Sequence, residues 1–173
     1  MTRIIFIIAI TMVAAMNVTI SVSAQSDDIN LFDEKYEWLE FGAAVVFQNS
    51  SDLSIIVSTD YDRPLFNRAF LPVQINSTSN SSLLLDLEYW ITSNQGNAAF
   101  FAELRDNETN KILWSNFLNG TTDHFTNHTY TLPSNIANIP LEFRFYIWTE
   151  GPGEHSLDLK KVLIRLSNST PSA

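Results

Sequence analysis

The chain has 173 residues, with 10 Lys and Arg against 19 Asp and Glu, a net charge of −9 and no cysteine. A surface this acidic disfavours phosphate backbones and anionic headgroups, which bind through clustered basic side chains, and the longest basic run is the pair Lys160-Lys161. Lack of cysteine excludes disulfides, thiol nucleophiles and thiolate metal sites, while about 150 residues can bury a core without staples.

At the N-terminus, Arg3 is the lone charge before an uncharged run from Ile4 to Ala24. Its most apolar part, Ile4 to Met16, has the length of a signal-peptide core, and Val22-Ser23-Ala24 offers the small residues a signal peptidase reads. Cleavage after Ala24 is expected, giving a secreted or cell-surface chain that begins at Gln25 with no inserted segment. Retained, the same run would just span a bilayer of roughly 30 Å. Beyond it stand seven Asn-x-Ser/Thr tripeptides, at Asn49, Asn76, Asn80, Asn107, Asn119, Asn127 and Asn168. Each is a candidate N-glycan acceptor on a secretory route.

Residues 25–36 read as an extended lead-in, 37–166 as one β domain and 167–173 as a polar tail. Strands are expected over 43–48, 53–58 and 69–75. The clearest alternation follows: Leu83, Leu85, Leu87, Tyr89 and Ile91 face one way, and Leu84, Asp86, Glu88, Trp90 and Thr92 the other. Further strands are expected over 98–105, 111–115 and 128–132, with Asp106-Asn107-Glu108 as turn chemistry. A second clear alternation sets Leu141, Phe143, Phe145 and Ile147 against Glu142, Arg144, Tyr146 and Trp148. In the last strand, 156–166, Leu157 and Leu159 share one parity and Val162, Ile164 and Leu166 the other. A β-bulge at Lys160-Lys161 would restore the phase without burying lysine. About nine strands with no sustained helical stripe predict an all-β, antiparallel β-sandwich. Trp114 shares parity with Ile112 and is expected in the core, Trp38 as a plug at one end, and most of the 12 Phe, Phe100 and Phe101 included, as packing.

The order of elements resembles the jelly rolls of carbohydrate-binding modules and galactose-binding-like domains. It is carried by Asn30-Leu31-Phe32 ahead of the first strand, the long strand from Leu83 to Thr92, the segments from Ala99 to Arg105 and from Tyr130 to Pro133, and the closing strand from Ser156 to Ile164. The resemblance implies a jelly-roll fold and glycan binding. It also implies a calcium held by acids just before a valine of the last strand, but Lys160 and Lys161 occupy those positions here and would repel it.

If the apolar parities face the core, Trp90 faces outward beside Asp86 and Glu88, and Trp148 and Tyr146 face outward beside Glu142 and Arg144. Aromatic planes stack on the C–H faces of pyranose rings, and planar charged groups bond ring hydroxyls. These seven residues are the expected ligand site for a polysaccharide or glycan, provided their two strands are neighbours. The alternatives are an extracellular structural protein, or a domain that docks on another protein through the Trp90/Trp148 face. No cofactor is expected; the only candidate calcium ligands are Asp60 and Asp62, which serve equally well as an ordinary turn. Asp123, His124 and His128 do not make a metal triad, because a four-residue spacing in extended chain separates ligands by roughly 13 Å. No nucleophile elbow, phosphate loop or metalloprotease helix is present, and Glu88 and Glu142 would form a glycosidase pair only by accident of strand order. The chain is expected not to be an enzyme.

Overall fold

Leu83, Leu85, Leu87 and Tyr89 from one alternating run, and Leu141, Phe143, Phe145 and Ile147 from the other, are all buried in a single core between two sheets. The structure, a computed structural model, describes residues 21–23, 28–33, 35–60, 63–76, 82–94, 96–119 and 124–167. Twelve strands, numbered β1 to β12 in chain order, are found among them. Sheet A holds β1 (Ser21–Ser23), β3 (Leu39–Phe41), β6 (Leu65–Asn76), β8 (Asn97–Asp106), β9 (Ile112–Phe117) and β11 (Pro140–Glu150). Sheet B holds β2 (Ile29–Asn30), β4 (Ala44–Gln48), β5 (Leu53–Thr59), β7 (Ser82–Ser93), β10 (Thr126–Leu132) and β12 (Gly153–Ser167). The orders are β1-β6-β11-β8-β9, with β3 also on β6, and β10-β7-β12-β5-β4, with β2 on β12. Every pairing is antiparallel except that of β1 with β6.

All nine expected strands are present, and the sandwich is the fold the alternation requires. β6 starts four residues before its expected first residue, Ala69. Its inward residues are Asn67, Ala69, Leu71, Val73 and Ile75, and Asn67 belongs there because its Oδ1 accepts from Ala43 N at 2.8 Å. Pro72 is tolerated because it falls between Phe70, the last residue paired with β3, and Gln74, the first paired with β1, where no ladder donor is needed.

The β12–β7 register shifts between Leu159 and Lys161, so Leu157, Leu159, Val162 and Ile164 are all buried. Lys160 is the extra residue, and the bulge lies where the lysine pair foretold it. A second bulge was not legible: Leu104 pairs with Trp114 but Arg105 with Ile112. Ile112 is therefore turned out, correcting the shared parity, although Trp114 still faces inward and meets Tyr130 across the sandwich at 5.4 Å. Trp38 is part of the hydrophobic core. It stacks on Phe145, meets Phe143 edge-on and donates its Nε1 proton to Leu31 O at 3.1 Å.

Candidate functional site

The seven residues expected to form one ligand face are divided between the two exteriors of the sandwich. β7 and β11 both bury their odd-numbered residues between the sheets, so their even-numbered residues point in opposite directions. Trp90, Asp86 and Glu88 lie on the outside of sheet B. Trp148, Tyr146, Arg144 and Glu142 lie on the outside of sheet A. Glu88 and Glu142 are consequently on opposite faces and form no carboxyl pair.

Asp86 is committed to structure. It is buried, with Arg165 Nε at 2.8 Å, Lys161 Nζ at 3.4 Å and the Thr129 hydroxyl donating at 2.6 Å. The hydrogen bond from Arg165 is the main cause that holds its carboxyl down at about 2. It ties β7 to β10 and β12 and has little left to offer a ligand.

On sheet A the half-site is larger than the sequence suggested. The pairings place Phe66 opposite Trp148, Tyr146 between Arg68 and Phe101, and Phe101 opposite Phe117. A row of rings results. Phe66 stacks on Tyr146 with centroids 5.8 Å apart, Tyr146 meets Phe101 at 6.0 Å, and Phe101 meets Phe117 edge-on at 5.3 Å. The row crosses β6, β11, β8 and β9, about 14 Å at the usual strand spacing. Its ends are open, Phe66 being 57% and Phe117 47% exposed. Phe41 of β3 extends the apolar surface past β6, with the Arg68 guanidinium 4.7 Å from its ring centre and 5.0 Å from that of Phe70.

Beside the rings runs a band of paired charges. Arg144 is ion-paired with Glu142, and Arg105 with Glu103 at 3.0 Å. Arg144 is almost fully buried, and burial lowers its affinity for its proton against the opposing pull of Glu142. Burial likewise raises Tyr146 above the usual phenol range, so its hydroxyl stays protonated and able to donate. Phe41, Phe66, Arg68, Phe70, Phe101, Glu103, Arg105 and Phe117 had not been singled out as site residues. Phe101 corrects the expectation of core packing. The available signal was the alternation Phe66, Arg68, Phe70 opposite the inward residues of β6, which is lost when the strand is started at Ala69.

The outer face of sheet B carries a separate, smaller cavity of about 320 Å³, lined among others by Ser54, Trp90, Phe125, Asp158 and Lys160. Trp90 meets Phe125 edge-on at 5.8 Å, and the bulged Lys160 places its ammonium 4.1 Å from the Phe125 ring centre. Asp158 accepts from the Ser54 hydroxyl at 2.6 Å and from the Ser156 hydroxyl at 2.9 Å.

Among the described residues, no group of three His, Asp or Glu is placed to hold a metal. Asp60 is exposed at the end of β5, while Asp62, Asp123, Asn80 and Asn168 lie outside the described residues. His128 stacks on Tyr89 and Tyr130 and is engaged with rings. Of the sequon asparagines, Asn49 is tied into a turn, its Oδ1 accepting from Ser51 and Asp52 N, whereas Asn119 and Asn127 are exposed. Asn107 is half-buried in the turn after β8, and Asn76 ends β6. No helix of the described residues is long and apolar enough to cross a membrane.

No family model and no characterised protein matches the sequence. Solved structures do share its fold. The glycoside hydrolase domain of Endo-D from Streptococcus pneumoniae R6 is 10% identical, with a TM-score of 0.54 over 80% of this chain and 23% of that one. The agarase AgWH50C is 11% identical, with a TM-score of 0.52 over 81% and 24%. A third, Caldicellulosiruptor saccharolyticus CBM27-1 in complex with mannohexaose, is 12% identical, with a TM-score of 0.49 over 80% of this chain and 97% of the module. This chain spans about a quarter of each of the first two. At such identities the likeness is one of fold alone, a β-sandwich of the kind the order of elements implied.

Proposed function

We propose that the chain is a secreted, non-catalytic glycan-binding module whose ligand lies across the outer face of sheet A. The observation that carries this reading is the ring row Phe66–Tyr146–Phe101–Phe117, with Trp148 beside it, on four adjacent strands. Its length suits a short stretch of polysaccharide better than a single sugar. Each ring offers an apolar plane to the C–H face of a pyranose, and an exposed apolar patch of this kind marks a binding surface. Tyr146, Arg68 and Arg105 supply donors at the edge of the row, and Glu103 and Glu142 supply acceptors.

The charges favour a neutral polymer. Arg105 and Arg144 are each balanced by a glutamate, and the chain as a whole is at −9, so a polyuronate or sulfated glycan would be repelled. Affinity electrophoresis through gels containing neutral β-glucan, mannan, xylan, arabinan or agarose, with pectate as the charged control, tests this. Retardation by at least one neutral polymer, lost in Tyr146→Ala and Phe66→Ala but kept in Trp90→Ala, is the expected pattern. Migration unaffected by every polymer would sink the reading and leave the ring row as a protein-docking face. Its support would then be the exposed Leu39 and Phe41 at the β3 edge.

A further inference from the structure

The cavity on the outer face of sheet B lies beside one of the glycan acceptor motifs, and neither feature is used by the ligand face on sheet A. The motif reads Phe125-Thr126-Asn127-His128-Thr129 and falls at the start of β10. On a strand, residues two apart share a face, so Phe125, Asn127 and Thr129 project together from the outside of sheet B. The register agrees: Asn127 is opposite Glu88 and Thr129 opposite Asp86, both outward residues of β7. Asn127 is exposed, and its Cα lies about 7 Å along the strand from that of Phe125. Phe125 is itself a wall of the cavity, together with Trp90, Lys160, Asp158 and Ser54. These are an aromatic pair, a cation and an acceptor around a space at the small end of the range for small-molecule sites.

We propose that Asn127 carries an N-linked glycan whose first N-acetylglucosamine rings pack on Phe125 and enter the cavity beside Trp90. The sheet B cavity is thus the seat of the protein's own sugar. The β-bulge contributes by turning Lys160 outward over Phe125 at the cavity wall, where its ammonium can donate to ring hydroxyls or the N-acetyl carbonyl. In the folded chain the Thr129 hydroxyl is bound to Asp86, so attachment precedes the pairing of β10 with β7, while the motif is still extended and open. The alternative source of the same chemistry is a free sugar from outside, and the experiment separates the two.

The full chain is secreted from a eukaryotic cell line and its glycopeptides are analysed by mass spectrometry. Its glycans are then trimmed to the first N-acetylglucosamine, and melts are compared with those of Asn127→Gln. Occupancy at Asn127 is expected, with a melting temperature a few degrees above that of Asn127→Gln. The increment should vanish in Phe125→Ala and shrink in Phe125→Leu, which keeps apolar bulk without an aromatic plane. Chitobiose is the probe for an outside source: it should bind Asn127→Gln weakly and the glycosylated wild type not at all. An unmodified Asn127, an increment unchanged in both Phe125 variants, or equal chitobiose binding by the two proteins would each overturn the proposal. All three readouts concern sheet B and stand apart from polysaccharide retention by sheet A.

Discussion

Tyr146 of β11 stacks on Phe66 of β6 on the outside of sheet A, with ring centroids 5.8 Å apart and planes 26° from parallel. Two rings so placed on adjacent strands hold each other flat and leave a continuous apolar plane. Tyr146→Ala should weaken binding to a retained polysaccharide by at least tenfold, on the scale of a recognition hot spot. The melting temperature should fall only modestly, since Phe66 is exposed and Tyr146 only half-buried. Isothermal titration measures the first and calorimetry the second. Equal losses in Tyr146→Ala and Trp90→Ala would contradict a ligand confined to one face.

Phe143 and Phe145 are fully buried, meet edge-on at 5.3 Å and both contact Trp38. Truncating either to Ala should cost about 3–5 kcal/mol through lost transfer energy and the cavity left behind. Urea unfolding reads this directly. A cost below about 1 kcal/mol at Phe145 would mean that its environment repacks far more freely than a sandwich core does.

Acid sensitivity should trace to Asp86. Its carboxyl is held at about 2, below its unfolded value near 3.8, mainly by the hydrogen bond from Arg165. The unfolded chain therefore takes up this proton first, and the stability contributed is complete above about pH 4 and lost as the pH falls through about 2. Asp86→Asn should cost about 1–2 kcal/mol at neutral pH, a figure already discounted because Lys161 and Arg165 are partly solvated. The variant should also show a flatter profile between pH 4 and 2, followed by circular dichroism in fixed urea.

His155 acts in a higher window. It is buried, shares a hydrogen bond between Nδ1 and Ser93 Oγ at 2.8 Å, and burial lowers its pKa from the ordinary 6.5. Below about pH 6.5 the unfolded chain binds a proton that the folded imidazole refuses. Stability should thus decline as the pH drops from 6.5, by at most about 1.4 kcal/mol per pH unit for one proton. His155→Gln should remove that slope between pH 6.5 and 5. Persistence of the full slope in the variant would assign it elsewhere.

Exported protein should begin at Gln25, and intact-mass measurement decides it. Cleavage there would remove β1, yet β6 keeps β11 along one side and β3 on the other, so the sandwich should survive. Recovery of residues 1–24 in a membrane fraction would establish an anchor instead.

Legibility followed the range of the interaction. Alternation is local, so the inward residues of β7 and β11 could be read directly, and the bulge at Lys160 showed itself because a lysine pair cannot sit where a leucine parity would put it. Strand order is not local. Nothing in the residues of β7 and β11 says that they belong to different sheets, and Trp90 and Trp148 were joined across what proves to be the full thickness of the molecule. Ile112 and Trp114 failed for a related reason: an extra apolar residue, Leu113, suits either face and gives no warning of a bulge. The ring row was half visible in Tyr146 and Trp148. Its other members were hidden because Phe is equally at home in a core.

Among the described residues β12 comes last in the chain, and it is an inner strand of sheet B. It lies between β7 and β5, so β5 and β4 cannot join sheet B until β12 itself has been synthesised. Contacts this distant in sequence make folding slow. Until β12 is present the inward residues of β5, Leu53, Ile55 and Val57, lack the neighbour that helps to bury them, and acidic charge and any attached sugars help to keep such chains apart. Shortening the C-terminus into β12 should therefore reduce the yield of secreted protein far more steeply than an equal cut elsewhere at the surface.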